Sequence, residues 1–541
     1  MKNPIDAIKT RAKNFAEEKD LKQKLIDKGD SAVQAILRGA AGRVSDKTIP
    51  FINRYDNTGF LEGDGYFLPR PAEGAGWSVG FAKASVLPDT LTGDLYIAGY
   101  LAFPPNKADG RLTDQFVRAI ALDDGSGRGI HVFAVIDCVG ISNHDIRRIR
   151  TRLKDLIAEK NVLSLNVSAT HCHSGVDTMG VWGDLIEALK KNPKAVKKQK
   201  TAGDAVSGRN EEMMDYLIET AAETITEAVA DMTPGRLDFA LLDAAAFIRD
   251  KRPPYVLDDV MTVLRFSPDA PAREKLIAVV LSAHPTNYGG KQKQISADFP
   301  FFTCDELEKN GFRAAYFQSD ELAVATDRGK FTAENATREE GIEQYGRAIA
   351  NYVLGADEGA YKPIEPLLNV RLTETFVPVD NALMTLLGKL KLVSNNVVRV
   401  TASNAKKPKK KEWDYYFNTE VGYAELGTQL KLALIPGELA PEILVGGAYD
   451  ESESYTGKKW DIPPLKDAVT GRLSVIGLCN DCIAYIIPDN DFGSVFAPLH
   501  YEESVSAGRR TGSNIAHAFL RCVEEAEKSR VAESQTLAPE E

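Results

Sequence analysis

The sequence predicts an α/β protein with mixed, largely parallel β-sheets flanked by helices in one large domain. Three observations lead there. The chain has 541 residues, 43% apolar and 26% charged, enough material in an ordinary balance for a large soluble core. Residues 130–169 read as strand, helix, strand, and a crossover of that kind sets two parallel strands side by side. Apolar runs of strand length then recur to about residue 478, separated by segments with helical spacing.

Taken in order, residues 1 to about 45 are highly charged, with a broken apolar stripe at Ile8, Phe15, Leu21, Leu25 and Ile26. They read as part of a helical extension, residues 1–76, that packs on the body; the acidic residues mixed through it argue against a membrane-surface helix. The body, residues 77–530, begins at Trp77. Val79-Gly80-Phe81-Ala82 is strand-like, and residues 117–122 and 130–137 are strands joined by a turn-forming Asp123–Gly129 segment. Ile146, Ile149, Leu153, Leu156 and Ile157 mark the apolar face of a helix over 143–160, and residues 163–169 form the next strand. The lysine-rich residues 187–210 read as a solvated excursion. Met214, Leu217, Ala221, Ile225 and Val229 mark a helix over 211–232. Strands are expected at 237–242, 260–266, 276–283, 313–318, 366–377, 429–435 and 473–478, with helices at 341–354, 381–392 and 512–528. The basic run 405–411 reads as an exposed loop, and residues 531–541 as a disordered tail.

Composition excludes several classes of function. A net charge of −11 argues against nucleic acid as the main partner. No apolar run is long enough to span a bilayer, and the N-terminus lacks the apolar stretch of a secretory signal. Six cysteines in so long a chain do not make a disulfide framework. A cytoplasmic location is the expectation.

The chemistry gathers at strand ends. Thr170-His171-Cys172-His173-Ser174-Gly175 follows the strand that ends at Ala169, and side chains two apart on extended backbone share a direction, so two imidazoles are offered to one pocket. His284 follows the apolar run Leu276–Ala283, Glu438 follows Ile435-Pro436-Gly437, and Tyr485 lies shortly after the strand at 473–478. The crevice beyond strand carboxyl ends is where α/β proteins build sites. Two imidazoles and a carboxylate suit a catalytic Zn²⁺, with a tyrosine oxygen as an additional weak ligand and His173 as base or electrostatic helper. Plainer readings stand beside these: Glu438 as the acid at the start of the following helix, Tyr485 as core, each histidine as a satisfied interior residue. Cys172 as a nucleophile is disfavoured because it neighbours the histidines directly and points to the other face. Cys479-x-x-Cys482 has no second pair to complete a zinc site.

In their order, these motifs resemble the catalytic domain of the neutral, non-lysosomal ceramidases. Thr170–Gly175 is similar to that family's Thr-His-Thr-His-Ser-Gly; Ala283-His284-Pro285-Thr286-Asn287 with Ile295-Ser296-Ala297-Asp298 resembles its second histidine segment. Pro436-Gly437-Glu438, Asn480…Tyr485 and Tyr501-Glu502 follow in the family's order, and Ile97-Ala98-Gly99-Tyr100 and Ala134-Val135-Ile136-Asp137 are similar upstream. The resemblance runs from about residue 77 to about 520. It implies a zinc-dependent amidase that cleaves the N-acyl bond of ceramide or a related acyl-amide to fatty acid and amine. It implies zinc ligation by His171, His284, Glu438 and Tyr485, action of His173 and Tyr501 on the scissile amide, and a substrate contact from Arg252 in Lys251-Arg252-Pro253-Pro254, with Arg249 as the other candidate. The expected partner is a small acyl-amide or lipid; a homo-oligomer is left open. The sequence departs from the family at Gly175-Val176-Asp177 and at Ser319-Asp320-Glu321-Leu322-Ala323-Val324, which replaces a small-residue loop expected to line the pocket. The secretion signal and C-terminal immunoglobulin-like domain of many relatives have no counterpart. The alternative reading is a non-catalytic member that keeps the fold and binds a lipid or a partner; zinc content separates the two.

Overall fold

The computed structural model describes residues 26–42, 49–52, 55–90, 93–102, 104–183, 207–399, 414–494 and 496–530. The expected stripe before residue 26, most of the lysine-rich excursion, the basic run 405–411 and the tail 531–541 lie outside the described residues. Residues 26–42 are helical and dock on the body: Gln34 accepts a hydrogen bond from the Ala382 N–H at 3.0 Å, and Tyr455 donates to Asp27 at 2.8 Å.

The main sheet uses β1 (Ser78–Ser85), β2 (Phe116–Asp123), β3 (Ile130–Ile136), β4 (Val162–Ala169), β5 (Thr233–Asp243), β6 (Val260–Pro268), β7 (Lys275–Leu281) and β8 (Phe312–Gln318). Its spatial order is β8-β7-β6-β5-β1-β2-β3-β4, and the short segment Lys362–Pro363 adds to β5. A second sheet holds β9 (Leu368–Pro378), β10 (Val397–Arg399), β11 (Tyr415–Leu426), β12 (Leu430–Leu434) and β13 (Arg472–Ile476), ordered β9-β11-β12-β13 with β10 on β11.

The mixed α/β class is what the structure has, although parallel pairing does not predominate. Among the described residues, parallel ladders longer than two residues join β3 to β4, β7 to β8 and β12 to β13; the other long ladders are antiparallel. Connection length explains this. The tight Asp123–Gly129 turn can only return the chain antiparallel, whereas a parallel return needs a crossover. The crossovers are helical for the first two pairs: Asn143–Arg152 with Lys154–Lys160 between β3 and β4, and Asp298–Lys309 between β7 and β8.

The two sheets pack face to face and helices cover both outer faces, giving four layers. Val79, Phe133, Leu237, Phe266, Val280 and Phe317 of the main sheet share one buried cluster with Leu368, Val370, Leu372, Leu432 and Ile476 of the second. The far side of the main sheet packs on Glu211–Ala230 and Arg338–Leu354, and that of the second sheet on Ala382–Lys389 and Thr511–Ser529. Most expected elements recur within a few residues. The helix expected over 143–160 is broken at Leu153, and the longest elements that went unforeseen are the helix Asp298–Lys309, which starts without a side-chain cap and carries Pro300, and β11. In β11 the alternation is masked by buried Asn418, Thr419 and Glu420.

Those polar residues are structural. Glu420 accepts from Arg150 at 2.9 Å and from Arg147 at 3.0 Å, tying the 143–152 helix to the second sheet. Arg150 also donates to Asn480 Oδ1 at 3.2 Å. Asn480, in the left-handed region at φ 63°, clamps β4 just ahead of the His pair: its N–H donates to the Val167 carbonyl at 2.8 Å, its Oδ1 accepts from the Val167 N–H at 3.1 Å, and its Nδ2 donates to Asn166 Oδ1 at 2.9 Å. Asn480→Ala strands these buried groups and is expected to destabilise the fold by about 1–3 kcal/mol, read as a lower urea midpoint with an unchanged slope.

Candidate metal centre

The carboxyl ends of the three parallel pairs face one another, and each delivers site residues. His171 and His173 follow β4, His284 follows β7, Glu438 follows β12 and Tyr485 lies beyond β13. The two-residue parallel ladder of Glu438–Leu439 with Tyr485–Ile486 sets Glu438 beside Tyr485. The imidazoles of the His pair do not converge by a shared strand direction, as the sequence suggested. β4 stops at Ala169 and His171 takes φ 62°, so a left-handed turn swings His171 and His173 together, Nε2 to Nε2 at 2.9 Å. Non-glycine backbone in this region is strained and persists where surrounding structure imposes it.

Hydrogen bonds to carbonyls fix two tautomers. His171 Nδ1 lies 2.6 Å from the Val139 carbonyl and His284 Nδ1 lies 3.2 Å from the Glu321 carbonyl. A carbonyl only accepts, so both Nδ1 atoms carry the proton and both Nε2 atoms present lone pairs. Those Nε2 atoms are 3.0 Å apart, and Glu438 Oε2 lies 3.5 Å from His171 Nε2 and 3.4 Å from His284 Nε2. Donors on a tetrahedral zinc with bonds of about 2.0–2.1 Å stand about 3.3–3.4 Å apart, so the three atoms fit one ion. The acceptor carbonyls are also the orienting partners that metal-binding histidines use. His173 differs: its Nδ1 makes no hydrogen bond of good geometry, only a weaker contact to the Gly99 carbonyl, so its proton is not locked.

All five side chains of the cluster are buried, and the fifth, Glu321, went unrecognised in the sequence. It stands three residues past β8, in the loop read as a departure from the family, and its carboxylate lies close to His171 and Glu438. Burial drives its pKa well up. Burial pulls His171 down, but Glu321 and then Glu438 outweigh it and push its pKa up to about 9. Burial, then His171, holds His173 and His284 well below the usual imidazole range. A proton on His171 thus stands where a cation would be held between the two carboxylates.

Tyr485 is buried with its ring centroid 6.5 Å from that of His284, and Tyr501, 55% exposed, stands edge-on to Tyr485 at 6.3 Å. Arg252 is not at the donor cluster. Its terminal nitrogens are taken by Glu502 at 3.1 Å, Glu503 at 3.0 Å and Asp491 at 3.0 Å, so it braces the segment that begins at Tyr501. Arg249 lies on the short strand Ile248–Asp250, opposite Ala325. Cys172 is buried, its thiol pushed well up by burial, with the Gln115 amide 3.9 Å from its sulfur, so nothing there activates a nucleophile. Cys479 and Cys482 are free thiols. His131 is a satisfied interior histidine, 2.8 Å from Ser164 Oγ and 3.3 Å from Asp64.

Fold and site together define a class: an αββα protein with a buried imidazole–carboxylate centre at the converging carboxyl ends of its parallel strands. Solved structures share the fold. A neutral ceramidase from Pseudomonas aeruginosa superposes with TM-score 0.60 over 85% of this chain and 76% of that one, at 16% identity. A ceramidase complexed with C2 superposes with TM-score 0.59 over 86% of this chain and 77% of that one, at 15% identity. No family model and no curated protein matches the sequence. The chain has the fold that the sequence resemblance implied.

Gly99, at φ 98°, lies so close to His173 that an added Cβ would sit 2.4 Å from its Cγ. Gly99→Ala is therefore expected to displace His173 and to cost about 1–3 kcal/mol of stability in denaturant titration, the scale of an overpacked interior. Arg252→Ala leaves Asp491, Glu502 and Glu503 buried without their cation and is expected to cost about 3–5 kcal/mol of stability in denaturant titration.

Proposed function

We propose that the protein is a zinc-dependent hydrolase of N-acyl amides, ceramidase-like, with residues 77–530 as its catalytic body. The observation that carries this reading is the convergence of three buried lone pairs, His171 Nε2, His284 Nε2 and Glu438 Oε2, on one point within 3.0–3.5 Å of each other. Such an arrangement is repulsive unless positive charge sits among them, a metal ion or, without one, a proton on His171. Zinc bound there would polarise an amide carbonyl and bring the pKa of a water towards neutrality.

The chain's own residues supply the rest. His171, His284 and Glu438 hold the ion, with Tyr485 beside Glu438 as the weaker oxygen donor. His173, with its unlocked Nδ1 and its depressed pKa, is neutral near pH 7 and able to take a proton at one step and return it to the leaving amine at the next. The Tyr501 phenol donates a hydrogen bond to the oxygen on which negative charge develops. Arg252 acts through that loop, fixing Glu502 and Glu503 and hence Tyr501. Burial of the cluster keeps bulk water from weakening these interactions.

Elemental analysis, combined with hydrolysis of N-acyl amides of graded chain length, tests the reading. The expected result is about one zinc per chain, chelator-sensitive release of fatty acid, and loss of both metal and activity in His171→Ala and Glu438→Ala with the circular-dichroism spectrum intact. Zinc-free protein that still binds a lipid would favour the non-catalytic alternative, and wild-type activity in both variants would remove these residues from the centre.

A further inference from the structure

We propose that Glu321 is a further direct protein ligand of the cation, so that two carboxylates and two imidazoles hold it. The inference rests on the metal-centre reading above and adds a residue that the family resemblance does not supply. Three observations support it.

The backbone of Glu321 is held in place from both sides. Its carbonyl accepts from His284 Nδ1 at 3.2 Å, and the following N–H, of Leu322, donates to the Leu439 carbonyl at 3.1 Å, one residue past Glu438. The end of β8 is tethered to both histidine turns as well: Gln318 Nε2 donates to the Ala283 carbonyl at 2.6 Å and to the Thr170 carbonyl at 3.2 Å. The loop is thus built around the centre.

The carboxylate itself is completely buried, and neither oxygen has a hydrogen-bond partner among the described residues. An ionised carboxylate in that state is untenable without a compensating charge. Its oxygen, a His171 nitrogen and a Glu438 oxygen all lie within 4.8 Å of one another. Donors on one zinc stand about 3.3–3.4 Å apart, so a side-chain rotation that shortens these separations by about 1.5 Å at most brings Glu321 into the coordination sphere. A purely orienting role towards His284 is already filled: Nδ1 bonds the Glu321 carbonyl at 3.2 Å, whereas the carboxylate is 4.0 Å away.

Charge balance points the same way. One carboxylate and a divalent ion leave a net positive charge in a sealed site, and two cancel it. An added oxygen donor also suits harder divalent ions alongside zinc.

The experiment uses the full chain, stripped of metal and reloaded with Zn²⁺ or Co²⁺. Zn²⁺ affinity is read by competition with a chromophoric chelator, coordination by the visible Co²⁺ spectrum, and stability by melting with and without Zn²⁺. Glu321→Gln is expected to weaken Zn²⁺ binding by about 10-fold or more, to intensify the Co²⁺ bands as coordination number falls, and to melt higher than wild type when metal-free. Glu321→Asp, which keeps the charge on a shorter stem, should fall between the two in affinity and covers a Gln variant that does not fold. Affinity loss with an unchanged Co²⁺ spectrum places Glu321 outside the coordination sphere and overturns the proposal, as does unchanged affinity. Wild-type protein that takes up neither ion would overturn this proposal and the metal-centre reading together.

Discussion

Two backbone carbonyls, those of Val139 and Glu321, decide which nitrogens of His171 and His284 carry protons, and the centre depends on that choice. With Nδ1 protonated in both rings, the Nε2 atoms must face inward, towards each other and towards Glu438, where they need positive charge beside them. A fold that sought only stability would have turned one ring over or filled the position with an apolar side chain, because buried acceptors without donors are costly. The surrounding structure instead holds the unfavourable arrangement in place. It does so with strained backbone, at His171 (φ 62°), Ala323 (φ 60°) and Ala484 (φ 63°), on three different loops. Backbone of this kind persists only where the surrounding structure imposes it, and here it fixes the three loops that carry the donors.

The architecture explains how such an arrangement is held rigid. Long antiparallel ladders make up most of both sheets and supply stiffness, while the parallel pairs β3/β4, β7/β8 and β12/β13 have a topological role. A parallel pair puts two carboxyl ends at the same edge, so two loops leave together towards the site. Val139 leaves β3 as His171 leaves β4, and His284 leaves β7 as Glu321 leaves β8; in both cases the two loops hydrogen-bond each other within a few residues. Asn480 and the Arg150–Glu420 pair then lock the main sheet to the second one, which brings Glu438 and Tyr485 to the same place. Sheet stacking through the shared apolar core sets the distance, and these buried polar bonds set the register.

Much of this was legible in the sequence, for a physical reason. His171, His284, Glu438 and Tyr485 each follow a strongly apolar run, and polar residues just past a buried strand are where such sheets place sites. What stayed hidden was hidden by local ambiguity. Glu321 sits in the Ser319–Val324 loop, which stood out only as a departure from the family in a segment expected to line the pocket; only the three-dimensional closure of the β8 loop over His284 shows its carboxylate to be buried at the centre. The strand β11 lost its alternating signature to buried Asn418, Thr419 and Glu420, the last interior because Arg147 and Arg150 reach it from 270 residues away or more. Arg252 was legible as a residue of interest but not as a brace, since its partners lie about 240–250 residues further on. The excess of parallel pairing expected came from generalising one crossover to the whole sheet.

The arrangement of tyrosines gives the site a direction. Tyr501 is half exposed, Tyr485 beneath it is buried, and His284 lies beyond, so the three rings run from solvent to the centre. On another side Tyr100 stands edge-on to His173 at 5.3 Å and donates its phenol hydrogen to the Thr286 carbonyl at 2.9 Å. The Tyr501 side of the centre is a wall that cannot yield easily, because the loop behind it is tied by one guanidinium to three carboxylates inside the protein. That arrangement costs desolvation energy that a flexible loop would not. Its return is a Tyr501 ring held at a fixed place at the outer end of that run of rings. The buried Arg252 cluster and the buried donor set are thus two uses of the same device: charges removed from water so that their neighbours cannot move.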